Sequence, residues 1–205
     1  MPIRDKSKKT MCEFDPSEHI YRIDGRIVPG VTAIIDRVLG RPIMRATDWH
    51  MQRGAAVHAC AAMIARGIEF ENDPQIDGQV AAVRKFFADF KPVPRIIETP
   101  AYSVAYQYGG TIDLITDTEM GLTLVDYKAT ISVIRGEIQL GGYALLHPDV
   151  KAGLLVQPNE DGTYKVRPVP SRELRLAKQD FLSIRGSYGI LQRLGETESR
   201  KEGNA

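Results

Sequence analysis

Two cysteines, Cys12 and Cys60, are all that the 205 residues contain, and neither belongs to a CxxC pair. A disulfide-stapled scaffold is therefore excluded, and no ligand set exists for a structural zinc or an iron–sulfur cluster. Such usage suits a reducing cytoplasm. No apolar run approaches the ~20 residues that a membrane-spanning helix requires. The opening Met1-Pro2-Ile3-Arg4-Asp5-Lys6 carries charge but has no apolar stretch behind it, unlike a secretory leader. Repeats and low-complexity tracts are lacking too. With 43% hydrophobic and 26% charged residues, the chain is not collagen-like, a coiled coil or wholly disordered. One globular domain is expected over residues 11–194, between a flexible N-terminus (1–10) and a disordered tail (195–205).

The formal net charge of +1 conceals an uneven distribution. Residues 1–53 hold 10 Lys and Arg against 7 Asp and Glu, residues 54–164 hold 8 against 14, and residues 165–205 hold 9 against 5. A basic rim around an acidic centre suits a metal site facing a polyanion. Solvated faces with uneven sampling fit the same counts.

Strand-like His19–Ile23 and Arg26–Val28 flank Asp24-Gly25, the strongest short hairpin signal in the chain. After Pro29-Gly30, Val31–Leu39 reads as a short helix closed by Gly40. Longer helices are expected over Arg45–Arg66 and Pro74–Phe90, the second with Ile76, Val80, Val83, Phe87 and Phe90 at helical spacing. Trp49 and the Phe86-Phe87-Phe90 group read as core. The period then changes to two, with strands at Arg95–Tyr106, Gly110–Asp117 and Leu122–Lys128. A helix over Gly136–Leu146, strands at Ala152–Gln157 and Thr163–Pro168, and an amphipathic helix over Leu174–Leu194 complete the pattern. The fold class expected is an α/β (α+β) sandwich, a mixed central sheet flanked by helices. On the last helix, Arg172, Arg175, Lys178 and Arg185 form either a phosphate-tracking stripe or a solvated face.

Chemistry concentrates in one hairpin. If Asp117 stands opposite Leu122, every opposed pair sums to 239 and Asp113 faces Asp126. Opposed residues share a face with Cβ atoms about 4.5–5.5 Å apart, and Lys128, two residues on from Asp126, joins them. Ile112, Leu114, Val125 and Tyr127 are then expected on the other face. Two opposed carboxylates repel unless neutralised, and a hard divalent cation does so at natural distances. The lysine beside them can hold a water or stabilise charge developing on a phosphate. Asp-x-Lys itself is uninformative, since it also occurs at Asp89-Phe90-Lys91 and Asp149-Val150-Lys151. Only the copy at Asp126 ends an apolar strand with a second aspartate across a hairpin. A solvated acidic edge with a lysine ion pair is the alternative.

Gly109-Gly110-Thr111-Ile112-Asp113, Val125-Asp126-Tyr127-Lys128-Ala129-Thr130 and Gln139-Leu140-Gly141-Gly142-Tyr143-Ala144 together resemble the PD-(D/E)XK nuclease superfamily. The likeness is to its RecB-like branch, which includes the mitochondrial genome maintenance exonuclease and many phage exonucleases. Arg53-Gly54-Ala55-Ala56-Val57-His58 matches the branch's Arg-Gly-x-x-x-His element. Tyr21-Arg22-Ile23-Asp24-Gly25 through Val28-Pro29-Gly30-Val31-Thr32 is similar to the lead-in of phage members. The resemblance spans about residues 19–145 and implies a restriction-endonuclease-like core. It implies that Asp113 and Asp126 bind Mg²⁺ or Mn²⁺, with the Tyr127 backbone carbonyl and His58 as further ligands. Lys128 then positions or activates the attacking water. Gln139 and Tyr143, on one helix face, lie beside the site, and Glu98 matches an acidic position on the first strand. The chain departs from the family in having Asp126 where Glu is usual and Ala129 directly after the lysine, and in lacking the cluster-binding cysteines. Taken without the family, His58 reads as a structural histidine, and Gln139 and Tyr143 as a solvated amide and a core-edge ring.

The function this implies is a metal-dependent DNA nuclease, an exonuclease in phage or bacterial recombination and repair. Its partner is DNA, with a recombination protein or further copies of the chain as possible companions and no membrane. A catalytically inactive nuclease-fold module that binds nucleic acid or protein is the alternative, and RNA as substrate is a third reading. Asp113→Asn and Asp126→Asn are both expected to keep the fold.

Overall fold

Asp24 and Gly25 both take positive φ, 50° and 75°, as a mirror-image two-residue hairpin turn demands. They join β2 (Ile20–Ile23) to β3 (Arg26–Val28) with Ile23 opposite Arg26. A strand not expected from sequence, β1 (Cys12–Asp15), pairs with the other side of β2. Its four residues carry too little alternation to signal a strand; the edge of β2 and the Asp24 carboxylate, which accepts the Met11 N–H at 3.0 Å, hold it. The structure is a computed structural model and describes residues 10–40 and 48–202. The expected loose N-terminus up to Lys9, the helix start at Arg45 and the last three residues lie outside these.

Helix α1 (Val31–Leu39) stops at Gly40, whose φ of 77° no longer continues a helix. Next come α2 (Asp48–Ala65) and α3 (Asp77–Phe90). A 3₁₀ turn at Pro74–Ile76 leads into α3, with the Asp73 carboxylate accepting the Gln75 N–H at 2.9 Å. The main sheet follows in the order β4 (Val93–Ser103), β5 (Tyr108–Thr118), β6 (Gly121–Tyr127), β7 (Ala152–Pro158), β8 (Tyr164–Val169). Only β6 and β7 run parallel, and α4 (Val133–Leu146) makes the crossover between them. Helix α5 runs from Ser171 to Glu202, well past the expected end at Leu194, so the tail is helical as far as Glu202. The glutamates, arginine and lysine of that tail are good helix formers despite their polarity. The mixed sheet flanked by helices is the expected fold class. No helix among the described residues is long and apolar enough to cross a membrane.

Two helical layers cover the sheet. On one side Val57, Cys60 and Ala61 of α2 and Val80, Val83 and Phe86 of α3 pack on Leu114, Val125 and Tyr127. On the other, Leu140 and Ala144 of α4 and Leu174 of α5 pack on Ile112, Ile115 and Leu124, while Phe181 and Ile184 join Val31, Ile34 and Ile35 of α1. Helices α4 and α5 cross closely enough that a Cβ on Gly141 would stand 2.2 Å from the Ala177 carbonyl oxygen. Backbone cannot yield as a flexible side chain can. Gly141→Ala should therefore cost about 2 kcal/mol or more and lower the melting temperature by about 4–8 °C; an unchanged midpoint would contradict this packing.

Apart from a bulge at Arg95 in β4, the alternation of β4 and β5 fails at the row of Glu98 and Asp113. Ile112 lies on the α4 side, yet Leu114, two residues on, lies on the α2–α3 side. Along β4, Ile97 packs on the α2–α3 side and Ala101 on the α4 side. Register is kept across the break, with Ile97 opposite Leu114 and Thr99 opposite Ile112, but the intervening Glu98 and Asp113 are not paired. Glu98 has a φ of 41°, a left-handed conformation that costs energy in a glutamate. Both strands thus change phase together. The expectation that Ile112 shares a face with Leu114, Val125 and Tyr127 is corrected here, because period-two counting assumes an unbroken strand.

Candidate active site

The phase slip turns Glu98 and Asp113 toward α2, where His58 waits one turn beyond Gly54. One ligand atom from each of His58, Glu98 and Asp113 lies within 4.8 Å of the others. His58 Nδ1 is 3.2 Å from Asp113 Oδ2, and the same oxygen accepts the Tyr127 N–H at 3.0 Å.

The β5–β6 ladder runs from Thr118 opposite Gly121 to Leu114 opposite Val125, the register expected from the sum of 239. It stops one step short of the two aspartates. At that step the Asp113 carboxylate, rather than a main-chain carbonyl, takes the Tyr127 N–H, so the strands part around it. Along β6 the alternation continues unbroken, with Leu124 on the α4 side and Val125 and Tyr127 on the α2–α3 side. Asp126 and Lys128 therefore face α4. Asp113 is turned toward α2 and Asp126 toward α4, so the two aspartates do not lie side by side on one flat face as expected, although the charge of Asp113 still reaches Asp126.

Lys128 Nζ lies 2.6 Å from Asp126 Oδ2 and donates to Gln139 Oε1 at 3.0 Å. The Gln139 amide nitrogen in turn donates to Tyr143 Oη at 3.1 Å and to Thr32 Oγ1 at 3.2 Å. Lys128 is thus aimed by a chain of side chains from α4 and the start of α1. The Tyr143 ring fits because Gly110 has no side chain; a Cβ there would stand 2.7 Å from the ring. Tyr21 covers the other face of β5 at Gly109 in the same way, at 2.6 Å, and its hydroxyl bonds Thr111 at 2.8 Å. The double glycine lets aromatic rings close on both faces of the strand that delivers Asp113.

Electrostatically the cluster is short of positive charge. Burial alone would lower His58, but the Asp113 carboxylate, with Asp126 behind it, holds it up at about 9. Burial, then Asp113, raises Glu98 to about 7. Asp113 is opposed by its burial, yet His58, Lys128 and the Tyr127 N–H keep it below the usual carboxylate range. Asp126 goes the other way, raised by burial and by Asp113 in spite of Lys128. Its Oδ2 is buried and lies 2.6 Å from the Lys128 ammonium. Burial and the two aspartates also push Tyr143 upward, so it stays a neutral donor or acceptor.

These donors fit a hard divalent cation. Carboxylate oxygens and one imidazole are the ligands Mg²⁺ and Mn²⁺ accept, and His58, Glu98 and Asp113 offer them within 4.8 Å of one another. His58, one-third exposed, opens into a cleft of about 430 Å³. Arg53, Gly54 and Val57 of α2, Gln79 of α3, Tyr127 at the end of β6 with Lys128 and Ala129 after it, and Pro158 at the end of β7 with Asn159, Glu160 and Asp161 of the turn to β8 line it.

Thr32, Gln79 and Arg53 acquire places here that the sequence does not assign. Thr32 and Gln79 carry no local signal, because only tertiary packing brings them in. Trp49 is not core; it is half-exposed and stacks beneath the Arg53 guanidinium, 4.5 Å from the ring centroid. Phe86 is fully buried as expected, whereas Phe90 at the end of α3 is exposed. Arg185, a candidate for a phosphate-tracking stripe, instead caps the β4–β5 turn, donating to the carbonyls of Tyr106 at 2.9 Å and Gln107 at 3.3 Å.

Sequence comparison finds no matching family profile and no match among curated proteins. Among solved structures the chain is similar to an alkaline exonuclease from Laribacter hongkongensis, at 10% identity, 82% coverage of this chain and 93% of that one, with a TM-score of 0.39. The same exonuclease in complex with dAMP matches at 10% identity, 83% and 94% coverage and a TM-score of 0.40. A phage-related exonuclease from Haemophilus somnus 129PT matches at 12% identity, 82% and 96% coverage and a TM-score of 0.41.

Proposed function

We propose that the chain is a divalent-metal-dependent DNA nuclease of the RecB-like PD-(D/E)XK type, an exonuclease serving phage or bacterial recombination and repair. One observation carries this reading: Lys128, fixed by Gln139 and ion-paired with Asp126, lines a cleft together with His58, which belongs to a cluster with Glu98 and Asp113. A merely structural lysine pair needs neither the parted strands nor the strained Glu98.

His58, Glu98, Asp113, Asp126 and the Tyr127 backbone carbonyl are the groups that would hold Mg²⁺ or Mn²⁺. When bound, that ion supplies Lewis-acid stabilisation of charge on the phosphate and acidifies a water. The chain's own residues do the rest. Lys128 donates to the attacking water or a non-bridging phosphate oxygen, and its aim is set before substrate arrives. Gln139 has its carbonyl oxygen committed to Lys128 and its nitrogen to Tyr143 and Thr32, so the lysine cannot swing away without breaking the chain. Asp126 lies against the ammonium and helps to hold it in place.

The direct test is degradation of linear DNA in Mg²⁺ or Mn²⁺, with circular and single-stranded DNA alongside. Hydrolysis that requires a free end and stops in EDTA is the expected result. Undiminished activity in EDTA, or none on any of the three substrates with either metal, would remove the reading.

A further inference from the structure

We infer that Arg53 is the cleft's second phosphate-binding residue and that Glu160, its ion-pair partner, is a built-in competitor occupying the place of a substrate phosphate. This rests on the nuclease reading and assigns a residue on each wall of the same cleft.

Arg53 stands on α2 and Glu160 on the β7–β8 turn, so their ion pair spans the cleft mouth. The guanidinium is held independently of its partner. One face lies on the Trp49 ring, and that ring is tethered in turn by its N–H to the Gln75 side chain at 3.3 Å. Removing Glu160 therefore leaves Arg53 aimed at the cleft, with its donor fork open. Carboxylate and phosphate present the same bidentate acceptor geometry to that fork.

Glu160 is held from behind. Its carbonyl lies so close to Gly78 that a Cβ there would stand 1.8 Å from the oxygen, which seats the turn on the start of α3. The two ends of the pair differ sharply in exposure. The Arg53 side chain is 21% exposed and that of Glu160 71%, so the carboxylate is the end that gives way to solvent or ligand. Arg53 lies five residues before His58, about 7.5 Å along the helix axis. That is roughly two phosphate steps of a stacked strand at about 3.4 Å each. Lys128 lines the same cleft as His58 and Arg53, so a strand that presents one phosphate beside His58 and Lys128 runs on toward Arg53.

An exposed ion pair is worth about 1 kcal/mol at most, so displacing Glu160 costs up to about fivefold in affinity. The test is binding of a labelled duplex with a single-stranded overhang, read by anisotropy with Ca²⁺ in place of Mg²⁺. Glu160→Gln should tighten binding severalfold, up to that limit. Arg53→Ala should weaken it about tenfold and lower the salt dependence by about one counterion. In the Arg53→Ala background Glu160→Gln should add nothing. Arg53→Lys, which keeps the charge but not the fork, should fall between, and it serves for the same cycle if the alanine variant does not fold. Wild-type binding with no gain from Glu160→Gln, or an equal gain with Arg53 absent, overturns the inference and leaves the nuclease reading standing. No binding by any form removes both.

Discussion

Lys128→Met should lower the rate of DNA hydrolysis by two to four orders of magnitude, with the loss in kcat and little change in KM. Methionine keeps much of the stem's volume and removes only the ammonium. That ammonium stands 2.6 Å from Asp126 and is directed by Gln139, and no other lysine or arginine among the described residues is ion-paired with Asp126. A group that acts on charge developing during the reaction shows itself in turnover; one that merely attracted DNA would show itself in KM. Gln139→Ala provides a graded version. It leaves the ammonium but frees its aim, and should cost about tenfold. Circular dichroism and melting curves establish that both variants fold. A Lys128→Met protein that is folded and turns over at the wild-type rate would eliminate the mechanism, whatever the metal dependence.

Metal addition should produce the second large effect, read without any substrate. At Mn²⁺ about a hundredfold above its dissociation constant, the melting temperature should rise by about 5–10 °C. Asp113→Asn should abolish most of that rise. The two aspartates should also part company in EDTA, where their surroundings differ. Asp113 Oδ2 has two donors, His58 and the Tyr127 N–H, and losing its charge should cost about 1–2 kcal/mol, a fall of about 2–8 °C. Asp126 Oδ2 is ion-paired with Lys128 at 2.6 Å but its charge is opposed by burial and by Asp113, so Asp126→Asn should cost less than Asp113→Asn without metal. Equal behaviour of the two variants, or no metal-dependent shift in wild type, would contradict this account. The sequence alone suggests that both substitutions leave the fold intact; the structure separates them.

Much of the architecture was legible where local chemistry decides it. The Asp24-Gly25 turn needs two positive φ angles, and those residues tolerate them best. The β5–β6 register follows from a tight turn at Gly121, whose φ is 89°, so Leu114 and Val125 could be paired by counting. Counting failed at Glu98 and Asp113, because a left-handed glutamate in a strand violates the rule on which counting rests. The same failure hid the way the aspartates meet. Trp49 was misplaced because hydrophobicity argues for burial, while its nitrogen and the neighbouring Arg53 make it useful at a surface. Thr32 could not be found, since 107 residues separate it from the glutamine it bonds.

The row where β4 and β5 change phase belongs to two packing units at once. At that row β5 switches the layer its alternate residues face, Leu114 packing with α2 and α3 and Ile112 with α4. Whatever grips Asp113 therefore pulls on a seam and not on a single wall. Occupancy of the site would therefore tie the α2–α3 layer to the α4 layer through the strand they share.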